Sequence, residues 1–144
     1  MTMLKEGIVS QLGRRGVLRG LAASGLALLA PSPARAVPAP VKTRLFMQET
    51  HVAGTAYYRA VDLEASLAPG QTLVLRRQPD NPHDPLAIEV LTASGDKLGY
   101  VPRAANPPYA RLMDAGHVVN ARIAAVRPDK WDLVRMEIDL EGMG

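Results

Sequence analysis

Residues 86–102 read LAIEVLTASGDKLGYVP. LAIEVLT (86–92) is a strand signal: Leu86, Ile88 and Val90 point one way, and the run is rich in β-branched and leucine side chains. ASGD (93–96) is a hairpin turn, and KLGYVP (97–102) returns as the next strand. Gly99, inside that return strand, predicts a bulge or the close approach of another backbone. The hairpin makes the fold mainly β, provided its neighbours supply strands to pair with it.

They do. Upstream, Pro69-Gly70 forms a turn and Thr72–Gln78 a strand. Before it, RLFMQETHVAG (44–54) sets Leu45, Met47, Glu49 and His51 on one face and Phe46, Gln48, Thr50 and Val52 on the other. VDLEASL (61–67) is short enough for one helical turn or two. Downstream, ANPPYARLMDAG (105–116) is the main helix, with Asn106 as cap, Pro107 at the first helical position and Gly116 as the stop. Tyr109, Leu112 and Met113 fall at helical spacing and belong to the core. HVVNARIAAVR (117–127) alternates Val119, Ala121, Ile123 and Ala125 against more polar neighbours. After a PDK turn, WDLVRMEIDL (131–140) turns Val134, Met136, Ile138 and Leu140 inward and Arg135, Glu137 and Asp139 outward. Six short strands with one helix and one or two helical turns predict a small antiparallel barrel, closed so that no sheet edge is left exposed.

The N-terminus stands apart. GRRGVLR (13–19) carries the pair Arg14-Arg15, GLAASGLALLA (20–30) is apolar, and PSPARA (31–36) ends in a small-x-small site at Ala36. A membrane-spanning helix needs ~20 apolar residues, so this pattern is that of a cleavable signal peptide of twin-arginine type. Residues 1–36 are thus expected to be removed on export to the periplasm, with an N-terminal membrane anchor as the alternative. Residues 37–43, VPAPVKT, form a flexible leader, and 44–141 the folded domain. The whole chain has 17 basic and 14 acidic residues, but Lys5, Arg14, Arg15, Arg19 and Arg35 lie in the signal with only Glu6. The mature part carries twelve basic against thirteen acidic residues, so the basic charge belongs to the signal and says nothing about nucleic acid. The absence of cysteine excludes disulfides and thiolate metal sites.

The segment QPDNPHDP (78–85) is the chemical question. Its prolines at 79, 82 and 85 deny helix, and Asp80 and Asn81 suit Asx-turns. As catalytic machinery it is poor. His83 and Asp84 are adjacent, so their side chains diverge in extended chain. No serine sits in a nucleophile elbow and no glycine-rich loop precedes a helix. His51, His83 and His117 are too far apart for a short-spacing metal motif. No catalytic residue, metal or cofactor is expected.

HVAGTAYY (51–58), then DNPHDPLAIEV (80–90), then LGYVPR (98–103) and a helix together resemble the HIRAN domain, from about Phe46 to Val126. The resemblance implies a modified, six-stranded OB-type barrel. It also implies a non-enzymatic module that holds the 3′ end of single-stranded DNA or a nucleotide-like fragment. On that resemblance Tyr57 stacks on the terminal base and Asp84 receives the terminal 3′-hydroxyl. Asn81 and His83 complete the pocket, and Tyr100 and Arg103 contact nucleotide and phosphate. The physics is consistent: base stacking on an aromatic is worth ~1–3 kcal/mol without sequence choice. A carboxylate accepts a hydroxyl proton and repels a continuing phosphate. Two departures matter. Ala56 stands where the DNA-end binder has arginine, and His83 where the family often has tyrosine. The export signal leaves a second class open, a module for a peptide, another exported protein or an envelope sugar-phosphate. A third is hydrolysis of a phosphate-containing substrate assisted by His83 and Asp84.

Overall fold

The structure, a computed structural model, describes residues 36–143, and its fold begins at Ala39. The expected signal peptide therefore lies outside the described residues except for Ala36. Six strands form one antiparallel sheet. They are β1 (Lys42–His51), β2 (Thr72–Arg77), β3 (Ile88–Thr92), β4 (Lys97–Tyr100), β5 (Val119–Val126) and β6 (Val134–Met143), in the spatial order β1-β6-β5-β2-β3-β4. Helix α1 (Ala60–Leu63) runs on into a single 3₁₀ turn at Glu64–Ser66, and α2 (Asn106–Asp114) lies between β4 and β5.

The core is the alternating set read from the strands. Val52, Ile88, Val90, Leu98, Ile123, Val134, Met136 and Ile138 are buried, joined by Tyr109 and Ala110 from α2. Each such aliphatic side chain contributes ~1.5–3 kcal/mol on burial, so the inward face of the sheet holds the domain together. Tyr109 keeps its polar end satisfied by donating its hydroxyl hydrogen to Gln48 Oε1 at 2.9 Å. Gly116, at φ 92°, ends α2 as expected. The amide of His117 bonds Leu112 O and that of Gly116 bonds Met113 O, which satisfies two carbonyls of the last turn.

The structure departs from the simple strand pattern in three places. The sheet does not close into a barrel: its edge strands β1 and β4 meet only through one bridge, Ala53–Tyr100. The reason is local. Gly54 at φ 76° turns the chain after Ala53 into the 3₁₀ turn Thr55–Tyr57, and Pro102 has no N–H with which to prolong pairing beyond β4. Second, β1 buries almost none of its alternating residues. A bulge at Met47 shifts its register, Leu45, Phe46 and Met47 stay exposed, and burial begins only at Thr50. Third, Asp139 is buried rather than outward. It lies on an interior strand between Phe46 of β1 and Asn120 of β5, whose side chains flank it on the same face.

Candidate functional site

The loop 78–87 is built by its own polar side chains. Asn81 Oδ1 accepts the amides of His83 (2.8 Å) and Asp84 (3.2 Å), an Asx-turn of the kind its sequence favours. Gln78 N–H donates to Ala87 O across the loop at 3.0 Å, and Ala87 N–H donates to Asp84 O at 3.0 Å. Arg77 clamps the outside: it donates to Ala87 O (2.7 Å), Pro85 O (2.9 Å) and the Asp114 carboxylate of α2 (2.9 Å). Arg77 is therefore a brace rather than a solvated charge, and the loop is rigid without any regular structure.

That rigidity fixes Asp84. Its Oδ1 accepts the Leu86 amide at 2.9 Å and its Oδ2 accepts the Asn106 side-chain amide at 2.8 Å. The Asn106 bond chiefly, with smaller help from the Leu86 amide, Arg103 and Arg77, outweighs burial and holds the carboxyl below its ordinary range. Asp84 is accordingly an ionised acceptor.

The facing wall is aromatic. Tyr58 and Tyr100 meet edge to face with ring centroids 5.8 Å apart. Lys97 Nζ sits 4.4 Å from one centroid and 4.2 Å from the other, and donates to Tyr100 Oη at 2.6 Å. The Tyr100 hydroxyl donates in turn to Gln78 Oε1 at 2.8 Å, which also accepts Asn81 Nδ2 at 2.9 Å. The polar atoms of this wall thus satisfy one another, and both rings line the hollow. Arg103 completes the rim. It is exposed and forms no salt bridge among the described residues.

Together these groups enclose an open hollow of about 290 Å³, with Ala53, Ala87 and Val101 lining it between the polar walls. That is the low end of ligand-pocket sizes (~300–1,000 Å³). Of the six expected site residues, Asn81, His83, Asp84, Tyr100 and Arg103 line it. Tyr57 does not: it is 86% exposed at the end of the 3₁₀ turn, and its neighbour Tyr58 supplies the ring. Asn81 lines the hollow, but its amide is committed to the loop and to Gln78. Replacing it with alanine is expected to cost about 1 kcal/mol through the two orphaned amides, read as a lowered urea midpoint.

Sequence reasoning missed Tyr58, Asn106 and Lys97. Two adjacent tyrosines carry no periodic signal of which one faces inward when the chain between them is a turn rather than a strand. Asn106 was hidden by its suitability as a cap. In the structure α2 starts at Asn106, no side chain caps it, and the amide is turned to Asp84.

The HIRAN domain family profile matches residues 45–141. Among solved structures, a protein from Lactobacillus plantarum is 31% identical with a TM-score of 0.64, over 71% of this chain and all of that one. The HIRAN domain of human HLTF aligns at 20% identity and TM-score 0.57, over 69% of this chain and 80% of that one. The same domain in its DNA-bound conformation aligns at 19% and 0.54, over 71% and 80%. No curated protein matches the chain. The family match and the six-stranded open sheet agree, and the chain belongs to the HIRAN domain family.

Proposed function

We propose that the chain is a non-catalytic module that holds the free end of a single nucleic-acid strand in this hollow. The observation that carries it is the convergence, from three separate segments, of two tyrosine rings, an ionised carboxylate and the Arg103 guanidinium on one opening. Tyr58 and Tyr100 offer faces for the terminal base, Asp84 accepts the terminal hydroxyl, and Arg103 takes a phosphate oxygen. The HLTF HIRAN domain, solved in a DNA-bound conformation, supports the ligand class. Because the polar atoms around Tyr100 are used internally, the site stacks without reading base edges and has little preference among bases. An acceptor-only carboxylate with a depressed pKa is a poor general base, so we propose no turnover.

The ligand contact is narrow. Among the described residues Arg103 is the only lysine or arginine lining the hollow, and the mature chain is near neutral. The dependence of affinity on salt is therefore shallow, about −0.7 in log–log slope for each phosphate held. Titration of short labelled oligonucleotides, ending in a 3′-hydroxyl or a 3′-phosphate, tests the reading by fluorescence anisotropy. The hydroxyl end should bind at least about tenfold more tightly, and Asp84→Asn should erase most of that preference. Equal affinity of the wild-type protein for the two ends would rule the assignment out. We further propose that residues 1–36 direct export and are cleaved. N-terminal sequencing of the mature protein checks this, with Val37 as the expected first residue.

A further inference from the structure

Asn106 opens α2 and is only 2% exposed. An asparagine at a helix start ordinarily turns back onto backbone amides of the first turn. Here the next two residues are Pro107 and Pro108, which have no N–H to offer. The side chain instead reaches 22 residues back and donates from Nδ2 to Asp84 Oδ2 at 2.8 Å. The orientation is not reversible, since the flipped amide would set its carbonyl against a carboxylate oxygen. It has a cost: Asn106 Oδ1 is buried with no donor, a state native proteins rarely tolerate. A bond kept at that expense, inside the lining of the hollow, points to a task beyond packing.

We propose that Asn106 is a positioning residue that fixes the Asp84 carboxylate and keeps it an acceptor, so that the end of a strand is read as hydroxyl rather than phosphate even in acid surroundings. This role rests on Asp84 being the group that accepts the terminal hydroxyl. A protonated Asp84 would itself donate, and would greet a terminal phosphate as readily as a hydroxyl. The other groups facing Asp84 are the Leu86 amide and His83 on its own loop, Arg77 from β2 and Arg103 from the segment before α2. The two arginines stay charged throughout the acid range, so they lower the Asp84 titration by a constant, smaller amount and add no titration of their own. Asn106 makes the largest contribution to keeping it ionised, and removing its donor moves the titration upward.

The test uses the chain with Asn106→Leu, which matches the volume without the donor, and Asn106→Ala, which leaves space. Two readouts are needed. The ¹³C titration of the Asp84 carboxyl, followed by NMR without ligand, should move to higher pH in both variants. Anisotropy with a labelled oligothymidine bearing a 3′-hydroxyl should show the acid limb of binding displaced the same way. Affinity should fall about fivefold or more near the ordinary carboxylate range and less than about twofold near neutrality. An unchanged carboxyl titration in a folded variant overturns the inference, as does a loss of binding equal at every pH. If the leucine variant does not fold, the alanine variant decides by the same two readouts. Failure of the end-binding reading looks different: the wild-type protein would not distinguish the two ends, while the carboxyl titration would still respond to Asn106.

Discussion

Gly99→Ala is expected to remove about 3 kcal/mol of folding stability and to abolish ligand binding with it. A Cβ at Gly99 would lie 2.2 Å from Ala53 O and 2.9 Å from Val52 Cγ1. The nearer atom is backbone and cannot step aside as a flexible side-chain tip can. Ala53 is one half of the bridge that ties the end of β1 to β4, through Ala53 N–H to Tyr100 O at 2.7 Å and Tyr100 N–H to Ala53 O at 2.9 Å. Accommodating the methyl group breaks both bonds and parts the two sheet edges. Ala53 and Tyr100 also line the hollow, so the substitution opens the site as it weakens the fold. Urea denaturation gives the stability, and faster hydrogen exchange at the Ala53 and Tyr100 amides locates the damage. Gly95→Ala is the control. Gly95 sits at φ 94° in the β3–β4 turn with nothing within 4 Å of its Cβ position, so it carries conformational strain alone, about 1–2 kcal/mol. Equal losses in the two variants would show that backbone strain, not the approach of Ala53, is what Gly99 relieves.

The same glycine marks how far local pattern reaches. Period-two alternation placed β2 to β6 because their inward faces meet one core, and Gly99 was visible because a strand interior has no use for glycine otherwise. Alternation is silent about what lies outside a strand. It gave β1 two alternating faces without a core side, and Leu45, Phe46 and Met47 stay exposed, because a bulge shifts the register and β6 is the strand's sole sheet neighbour among the described residues. It assigned Asp139 to a solvent-facing position, and its cross-strand neighbours bury it. Closure was inferred from strand number, whereas the structure decides it at Gly54 and Pro102, where the two edges diverge after one bridge. At the site, residues of the motifs DNPHD and LGYVPR line one hollow. Tyr58, Lys97 and Asn106 were not legible, because each is defined by what it touches across the fold. A choice between adjacent tyrosines, or between capping and bonding a distant carboxylate, is made by tertiary contact.

Lys97→Met carries the second large effect, since it strikes the wall opposite Asp84. Lys97 Nζ bonds Glu89 Oε1 at 3.1 Å and Tyr100 Oη at 2.6 Å, and lies against the rings of Tyr58 and Tyr100. Glu89 is buried on β3 and also accepts Arg76 Nε at 2.7 Å. Orphaning a buried charge costs ~3–5 kcal/mol; with Arg76 still bonded, the expected loss is about 2 kcal/mol. Oligonucleotide affinity should fall about tenfold, as the two rings lose the cation that holds them in one arrangement. The pH dependence identifies the partner. Burial pushes the Glu89 carboxyl up, but the bonds and charges of Arg76 and Lys97 outweigh it and leave the group below its ordinary range. A carboxylate depressed on folding adds stability that is fully present above its unfolded value of about 4.3 and is lost as the pH falls through the folded value. The gap between wild type and Lys97→Met should therefore be widest near neutrality and narrow as Glu89 protonates in both proteins. Urea midpoints at about pH 7 and about pH 3 measure it. A gap that stays constant would mean that Lys97 acts on the fold through the tyrosines alone, with no part played by Glu89.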